Sequence, residues 1–140
     1  MRRRDFTKAS LSALGALSLG RTGGFSVPGL GAAPTLVNGD RLNAHIAALS
    51  QFGKNDFGGV SRVANSEFDR QGRAYAMGLM RAAGLTVTVD AGGNNWGRRA
   101  GTDPSRKPIV FGSHIDSVPE GGNFDGPVGS LGAIEVAQTL

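Results

Sequence analysis

Three stretches of the chain carry apolar residues at intervals of three and four, the spacing that places them on one face of a helix. The first stretch follows Asp40, which is suited to an N-cap. The second begins at Ser66, with Asp69 three residues later as in a capping box, and ends before Gly84. The third begins at Pro127, a residue that fits the first helical position. The apolar residues of these faces are Leu42, Ile46 and Leu49, then Phe68, Tyr75, Leu79 and Ala82, then Leu131, Ile134 and Leu140.

Between the second and third helices the pattern changes to that of strands. Residues 85–89 alternate between apolar and polar side chains, residues 90–93 give a turn signal, and residues 94–99 are predicted as another strand. Trp96 in that strand is expected to pack against the protein rather than stack on a substrate. The run Ile-Val-Phe at residues 109–111 has no polar interruption, which predicts a strand covered on both faces of a parallel sheet. The pattern as a whole predicts an α/β fold.

The positive charge of the chain is concentrated at its amino end. The formal net charge is +4, but residues 1–33 hold five Lys or Arg and one acid, so residues 34–140 hold ten of each. A nucleic-acid-binding domain would keep a basic face in that second part, so a nucleic-acid partner is not expected. The absence of cysteine from the sequence excludes disulfides and thiolate chemistry within the chain.

The same basic segment is predicted to be an export signal. Positions 3–8 read RRDFTK, a twin-arginine pattern, and residues 9–20 are weakly apolar and too short to span a bilayer. Residues 31–33 are the small residues that a signal-peptide cleavage site requires, although Pro34 disfavours cleavage of the bond after Ala33. We therefore predict a twin-arginine-type signal over residues 1–33, a periplasmic or secreted protein, and no integral membrane segment. The alternative is a basic, disordered N-terminal segment that is not a signal.

Candidate metal-binding residues cluster after the predicted strand. The segment GSHIDSVPEGGNFDG, residues 112–126, contains His114, Asp116 and Asp125. In open α/β sheets, ligands bind beyond the carboxyl ends of the strands. Imidazole with carboxylate suits zinc and other divalent ions, and Asp125 could bridge two of them, while Asp116 could accept the ring N–H of a ligand histidine. The same spacing also fits a hydrogen-bonded turn followed by a helix start, so the residues alone leave both interpretations open.

The loop at residues 58–66 and His45 also carry polar side chains that could have a functional role. The loop GGVSRVANS, residues 58–66, contains Ser61, Arg62 and Asn65, which either reach an active site or belong to a surface connection. His45 is expected to be a surface or packing residue, because no ligand partner is near it in the sequence. No Gly-x-Ser-x-Gly segment occurs, so nucleophilic catalysis by serine is disfavoured.

Residues 112–140 resemble the first metal-binding segment of the M20-type zinc-dependent amidohydrolases. The similarity is greatest to the branch that contains N-carbamoyl-L-amino acid hydrolases, allantoate amidohydrolases and β-ureidopropionases. Two upstream segments resemble the N-terminal part of proteins in the same branch, so the resemblance runs from Asp40 to Leu140. The segments are RLNAHIAALSQFG and GGVSRVANSEFDRQGRAYAMGLMRAAGLTVTVDAGGNNWGRRAGTD. It implies that residues 34–140 are the N-terminal portion of a three-layer αβα metallohydrolase catalytic domain with a mixed, partly parallel sheet.

The resemblance also implies a role for each candidate residue. His114 resembles the ligand of one metal, Asp125 the carboxylate that bridges two metals, and Asp116 the catalytic aspartate that supports the site. The implied cofactors are two divalent ions, with zinc expected and manganese, cobalt or nickel also compatible. The implied substrate is a small molecule with a C–N bond other than a peptide bond, such as an N-carbamoyl amino acid, a ureido compound or an allantoate-like compound.

In that family the general-base glutamate, a second ligand glutamate and two further histidines come later than residue 140 of this sequence. We therefore expect an incomplete catalytic domain that carries half of a binuclear site. The oligomeric state of the protein stays open, with a homodimer as one option. Two alternatives remain. One is an M20 peptidase or aminoacylase, and the other is an inactive remnant that acts as a binding or assembly module.

Overall fold

The computed structural model of the protein describes residues 36–140, so the signal predicted over residues 1–33 lies outside the described part. The three helices and two strands predicted from the sequence around residues 40–99 and 127–140 are confirmed, with ends that differ by a few residues. In chain order the elements are helix α1 (Gly39–Leu49), helix α2 (Glu67–Ala82), strand β1 (Thr86–Val89), strand β2 (Asn95–Arg98) and helix α3 (Pro127–Thr139).

Side-chain caps fix where the first two helices begin. The N-cap of α1 is Asn38, whose side-chain oxygen accepts a hydrogen bond from the Arg41 N–H at 2.9 Å, so the prediction of Asp40 as the cap is wrong. Asp40 instead lies in the first turn, where its negative charge suits the helix dipole. The prediction of Ser66 as the cap of α2 is confirmed, because its hydroxyl accepts from the Asp69 N–H at 3.2 Å.

The core lies where α1 and α3 pack together, with α2 against both. The predicted core positions in α1 and α3 are largely confirmed. In α2, Tyr75 and Leu79 pack against the core, but Phe68 and Ala82 are exposed, as is Leu140 at the end of the chain. The fully buried residues of α2 are small or polar, which apolar spacing does not predict. They are Asp69, Gly72 and Ala76.

Strands β1 and β2 form an antiparallel pair with Thr86 opposite Arg98. The turn between them is closed by Asp90, which accepts hydrogen bonds from Trp96 Nε1 at 2.8 Å and from the Asn94 N–H at 2.8 Å. These hydrogen bonds, the one from Trp96 above all, lower the pKa of Asp90 to about 2. The indole of Trp96 is partly exposed and its N–H is used within the turn.

The predicted strand at residues 109–111 is wrong for the described chain. These residues form no strand, and the Ile109 side chain is 89% exposed. A strand requires a neighbouring strand to accept and donate its backbone hydrogen bonds, and within residues 36–140 the strands β1 and β2 pair only with each other. The parallel part of the expected sheet is therefore not formed by residues 36–140.

A buried ion pair joins the start of α1 to α3. Glu135 is 2% exposed, and its carboxylate accepts hydrogen bonds from Arg41 Nε at 2.8 Å, from Arg41 Nη2 at 2.7 Å and from the Asn38 N–H at 2.7 Å. The hydrogen bonds from Arg41 are the main reason that the pKa of Glu135 falls to about 2. Because folding lowers this pKa, the stabilisation is present above the ordinary glutamate pKa and is lost as the pH falls toward 2.

His45 packs edge-on against Tyr75, with ring centroids 6.5 Å apart, as expected of a packing residue. None of the helices described between residues 36 and 140 is long and apolar enough to cross a membrane.

Candidate metal centre

A glycine at the start of α3 determines how the candidate ligands approach each other. Gly126 has a φ of +84° and a ψ of −60°, a γ-turn-like conformation that suits glycine and turns the chain from Asp125 into Pro127. A Cβ at position 126 would lie 2.5 Å from Cε1 and Nδ1 of His114 and 2.6 Å from its backbone oxygen. Only glycine therefore allows the start of α3 to lie directly against His114.

This close approach places the three candidate residues together, with one aspartate at each nitrogen of the imidazole. His114 Nδ1 lies 3.1 Å from the backbone oxygen of Asp116 and 3.3 Å from its Oδ1, while His114 Nε2 lies 3.8 Å from Asp125 Oδ2. The hydroxyl of Ser130, in the first turn of α3, donates to the backbone oxygen of His114 at 2.9 Å. The loop thus contacts the ring of His114, and the helix holds its backbone.

The contacts at Nδ1 determine the tautomer of the histidine. Because a carbonyl oxygen can only accept a hydrogen bond, its position at Nδ1 favours the proton on Nδ1. The lone pair of the neutral ring then lies on Nε2, the nitrogen that faces Asp125. Asp116 thus occupies the place of a residue that orients a ligand histidine.

The donor atoms that converge here fit a divalent ion. A separation of 3.8 Å between His114 Nε2 and Asp125 Oδ2 allows one ion to lie within about 2.0–2.2 Å of each atom. The Asp125 side chain is 94% exposed, so its carboxylate is open to a further ligand or ion. Within residues 36–140 no group of three or more His, Cys, Asp or Glu side chains is placed to hold an ion. These residues supply two donors, and metal binding stays a prediction.

The loop that carries these residues is held by an earlier segment of the chain. We call residues 112–126 the metal loop and Val60–Arg62 the brace. Val60 and Gly121 exchange two backbone hydrogen bonds of 2.9 Å. The Ser117 hydroxyl donates to the Val60 oxygen at 3.0 Å and accepts from the Arg62 N–H at 2.9 Å, and the Ser117 N–H donates to the Arg62 oxygen at 2.8 Å. The brace therefore holds the metal loop at two separate points.

The sequence left the role of Ser61, Arg62 and Asn65 open, and the structure places none of the three beside His114 and Asp125. Ser61 accepts a hydrogen bond from the Glu120 N–H at 2.9 Å, and Asn65 has a φ of 63° just before the α2 cap. Arg62 is 1% exposed and its guanidinium contacts backbone oxygens of three residues. The sequence singled out Arg62 as a polar residue of this loop but did not predict that it would be buried.

One sequence signal is related to the burial of Arg62. Gly72 lies in the interior of α2, where glycine is unfavourable for a helix. A Cβ at position 72 would lie 2.8 Å from Arg62 Cδ and 3.3 Å from its Nε. The glycine therefore makes room for the arginine.

The chain is similar to known amidohydrolases. The N-carbamoyl-L-amino acid amidohydrolase of Geobacillus stearothermophilus is 42% identical over 105 residues, which are 75% of this chain and 26% of the relative. The ureidoglycolate hydrolase of Oryza sativa subsp. japonica is 38% identical over 110 residues, which are 79% of this chain and 23% of the relative. No family model matches the chain.

A solved structure extends this similarity to the fold. The hydantoinase/carbamoylase family amidase from Burkholderia ambifaria superposes with a TM-score of 0.72 at 44% identity, covering 74% of this chain and 26% of that one. The chain thus spans about a quarter of the length of the relatives it matches. The family resemblance and the fold class predicted from the sequence are confirmed, the fold as a part of that of the relatives.

Proposed function

We propose that the protein that carries this chain, a homologue of the hydantoinase/carbamoylase amidohydrolases, hydrolyses a C–N bond other than a peptide bond in an N-carbamoyl, ureido or allantoate-like small molecule. The observation that carries the proposal is the pair of His114 Nε2 and Asp125 Oδ2, 3.8 Å apart, with the other ring nitrogen held by Asp116. The names of the relatives, which specify N-carbamoyl-L-amino acids and ureidoglycolate, support the substrate class.

Each of the three residues has a separate task in this proposal. His114 would hold an ion through Nε2, and Asp125 is the carboxylate that would be shared between that ion and a second one. Asp116 accepts the Nδ1–H of His114, which fixes the ring and makes Nε2 a stronger donor. Divalent ions bound in such a pair supply Lewis acidity toward a carbonyl and a nucleophilic water at neutral pH.

The proton carrier of the reaction is expected from outside the described residues. Glu135 is buried and committed to Arg41, so it is not free to exchange protons with a substrate. Glu120 lies in the metal loop, where its backbone N–H contacts Ser61. Neither residue corresponds to the glutamate pair that the resemblance implies. Zinc is the ion that we propose, and the oligomeric state of the protein stays open, with a homodimer as one option.

The proposal is tested by substrate and metal dependence of the whole protein. We expect turnover of an N-carbamoyl-L-amino acid, of allantoate or of ureidoglycolate, loss of that turnover after treatment with a chelator, and recovery after addition of zinc, manganese or cobalt. Elemental analysis should find two ions per subunit. Cleavage of a dipeptide alone would favour the peptidase alternative, and an absence of turnover on every substrate would favour the binding module.

We also propose that the protein is exported through its twin arginines. Arg3→Lys combined with Arg4→Lys should trap the precursor in the cytoplasm, because the paired guanidinium groups are the part of the signal that the export receptor reads. Cell fractionation and immunoblotting measure the exported fraction. Arg2→Lys, which changes a neighbouring arginine outside the pair, is the matched control. An unchanged exported yield from the double variant would remove the proposal.

A further inference from the structure

Arg62 connects the segment between α1 and α2 to the metal loop. Its Nε donates to the backbone oxygen of Ile115 at 2.6 Å, and its Nη1 donates to the backbone oxygens of Leu49 and Phe52 at 2.9 Å each. Ile115 is the residue between His114 and Asp116. One guanidinium therefore joins the end of α1 and the loop after it to the peptide that separates two of the candidate site residues.

We propose that Arg62 is a positioning residue for the metal loop, one that fixes the hydrogen bond between His114 and Asp116 and thereby the ring nitrogen offered to an ion. The proposal rests on the function proposed for that loop. The Ile115 oxygen and the Asp116 N–H belong to one planar peptide unit. When Arg62 holds that oxygen, it therefore also holds the backbone nitrogen of Asp116. The Ser117 N–H, held by the Arg62 oxygen at 2.8 Å, fixes the following peptide. Asp116 is thus held on both sides by one residue.

The chemistry of these contacts requires arginine. The guanidinium offers several N–H donors in a rigid plane, so it reaches oxygens from three segments at once, whereas the ammonium of lysine is a single point on a flexible chain. Two of the acceptors follow or end helix α1, where carbonyl oxygens lack helical partners and carry partial negative charge. Arg62 thus gives the Phe52 oxygen a donor, and it gives the Leu49 oxygen a second donor besides the Phe52 N–H at 3.2 Å.

The charge of the Arg62 guanidinium also supports its role in positioning the metal loop. Burial lowers the pKa of the Arg62 guanidinium, and the negative charges of Asp69 and Asp116 oppose that shift. Arg62 thus has the carboxylates of Asp69 and Asp116 as charge partners, and the second of these belongs to the loop that Arg62 holds. A side chain that only filled space would carry no such charge, because burying an ion is unfavourable unless it has partners.

Gly72 provides a second way to disturb Arg62 without changing its charge. In Gly72→Ala the new methyl group would lie 2.8 Å from Arg62 Cδ, a part of the side chain that three hydrogen bonds prevent from moving freely. Gly78 lies in the same helix with no atom within 4 Å of its Cβ position, so Gly78→Ala is the matched control. Arg41→Met is a further control, because it weakens the protein at the Glu135 ion pair.

Nitrogen NMR of the metal-free whole protein tests the proposal directly. The signals of His114 are assigned by their loss in His114→Gln. We expect a fixed Nδ1–H tautomer of His114 in the wild type, in Gly78→Ala and in Arg41→Met. In Arg62→Lys and Gly72→Ala we expect averaged signals from both tautomers. In the whole protein, zinc affinity measured by chelator competition should fall on the order of 10–100-fold in the same two variants and stay unchanged in the two controls.

The outcomes separate this proposal from the proposed function. A wild-type His114 tautomer in Arg62→Lys or in Gly72→Ala would overturn the role of Arg62, whatever the zinc affinity. If Arg62→Lys does not fold, the spectrum of Gly72→Ala decides. An absence of zinc binding by the wild-type whole protein would overturn the proposed function, and the tautomer comparison would still decide the role of Arg62. If Arg41→Met showed the same averaged tautomer signals and the same loss of zinc affinity as Arg62→Lys, the effect would be general destabilisation, and the proposal would also be overturned.

Discussion

Replacing Gly126 by alanine should abolish or strongly weaken metal binding while the protein stays folded. The new methyl group would lie 2.5 Å from the Nδ1 and Cε1 atoms of His114, so the imidazole must leave its position between Asp116 and Asp125. Alanine at a φ of +84° and a ψ of −60° adds backbone strain on the order of 1–3 kcal/mol. We expect zinc affinity of the whole protein, measured by competition with a chromophoric chelator, to fall by at least about 10–100-fold.

A matched variant separates the steric effect from the backbone strain. Gly84 has a φ of +76° and lies after α2, and no atom lies within 4 Å of its Cβ position. Gly84→Ala should therefore lower the free energy of unfolding by a similar 1–2 kcal/mol or so without changing zinc affinity. Equal zinc affinities for the Gly126 and Gly84 variants would mean that His114 does not bind the metal at this place.

Two aspartates of the metal loop should respond differently to substitution. Asp125→Ala removes the carboxylate that faces His114 Nε2, so metal content and turnover of the whole protein should fall together. Asp116→Asn keeps the shape of the side chain but removes the charge beside His114 Nδ1. Its turnover should fall on the order of 10–100-fold while much of the metal remains, because the backbone oxygen at position 116 still contacts His114 Nδ1 and keeps Nε2 available to the ion.

The exposed Asp56, which lies outside the metal loop, provides the control for both changes. Asp56→Ala and Asp56→Asn should leave metal content, measured by elemental analysis, and turnover on an N-carbamoyl amino acid as in the wild type. Full metal content and normal turnover in Asp125→Ala would show that the bridging role is assigned to the wrong residue. Parallel loss of metal and turnover in Asp116→Asn would instead make Asp116 a ligand.

The sequence predicts local features of this chain well because their causes are local. Ser66 begins α2 through a hydrogen bond to a residue three positions later, and Pro127 begins α3 because its ring already has a helical φ. The grouping of His114, Asp116 and Asp125 is also visible, since the three residues lie within one loop of the sequence. Their distances are not visible, because these depend on the turn at Gly126.

The errors concern features that depend on distant partners. Residues 109–111 have the composition of a buried strand, but composition does not supply the neighbouring strand that must pair with them. Arg62 and Glu135 are charged types that usually lie at the surface. Glu135 is buried against Arg41, 94 positions away, and Arg62 reaches Ile115, 53 positions away, so neither of these contacts can be read from a short window of sequence.

The brace at Val60–Arg62 makes ligand alignment depend on long-range folding. Because 53 positions separate Arg62 from Ile115, the imidazole and the carboxylate come into line only after two remote stretches of chain have met. An ion that prefers the aligned pair binds the native chain and not the unfolded one, so mass action shifts the equilibrium toward the native state. If the proposed ions bind, the supply of metal in a compartment would then affect how long the protein persists there, since the metal-free chain would open more often and be degraded sooner.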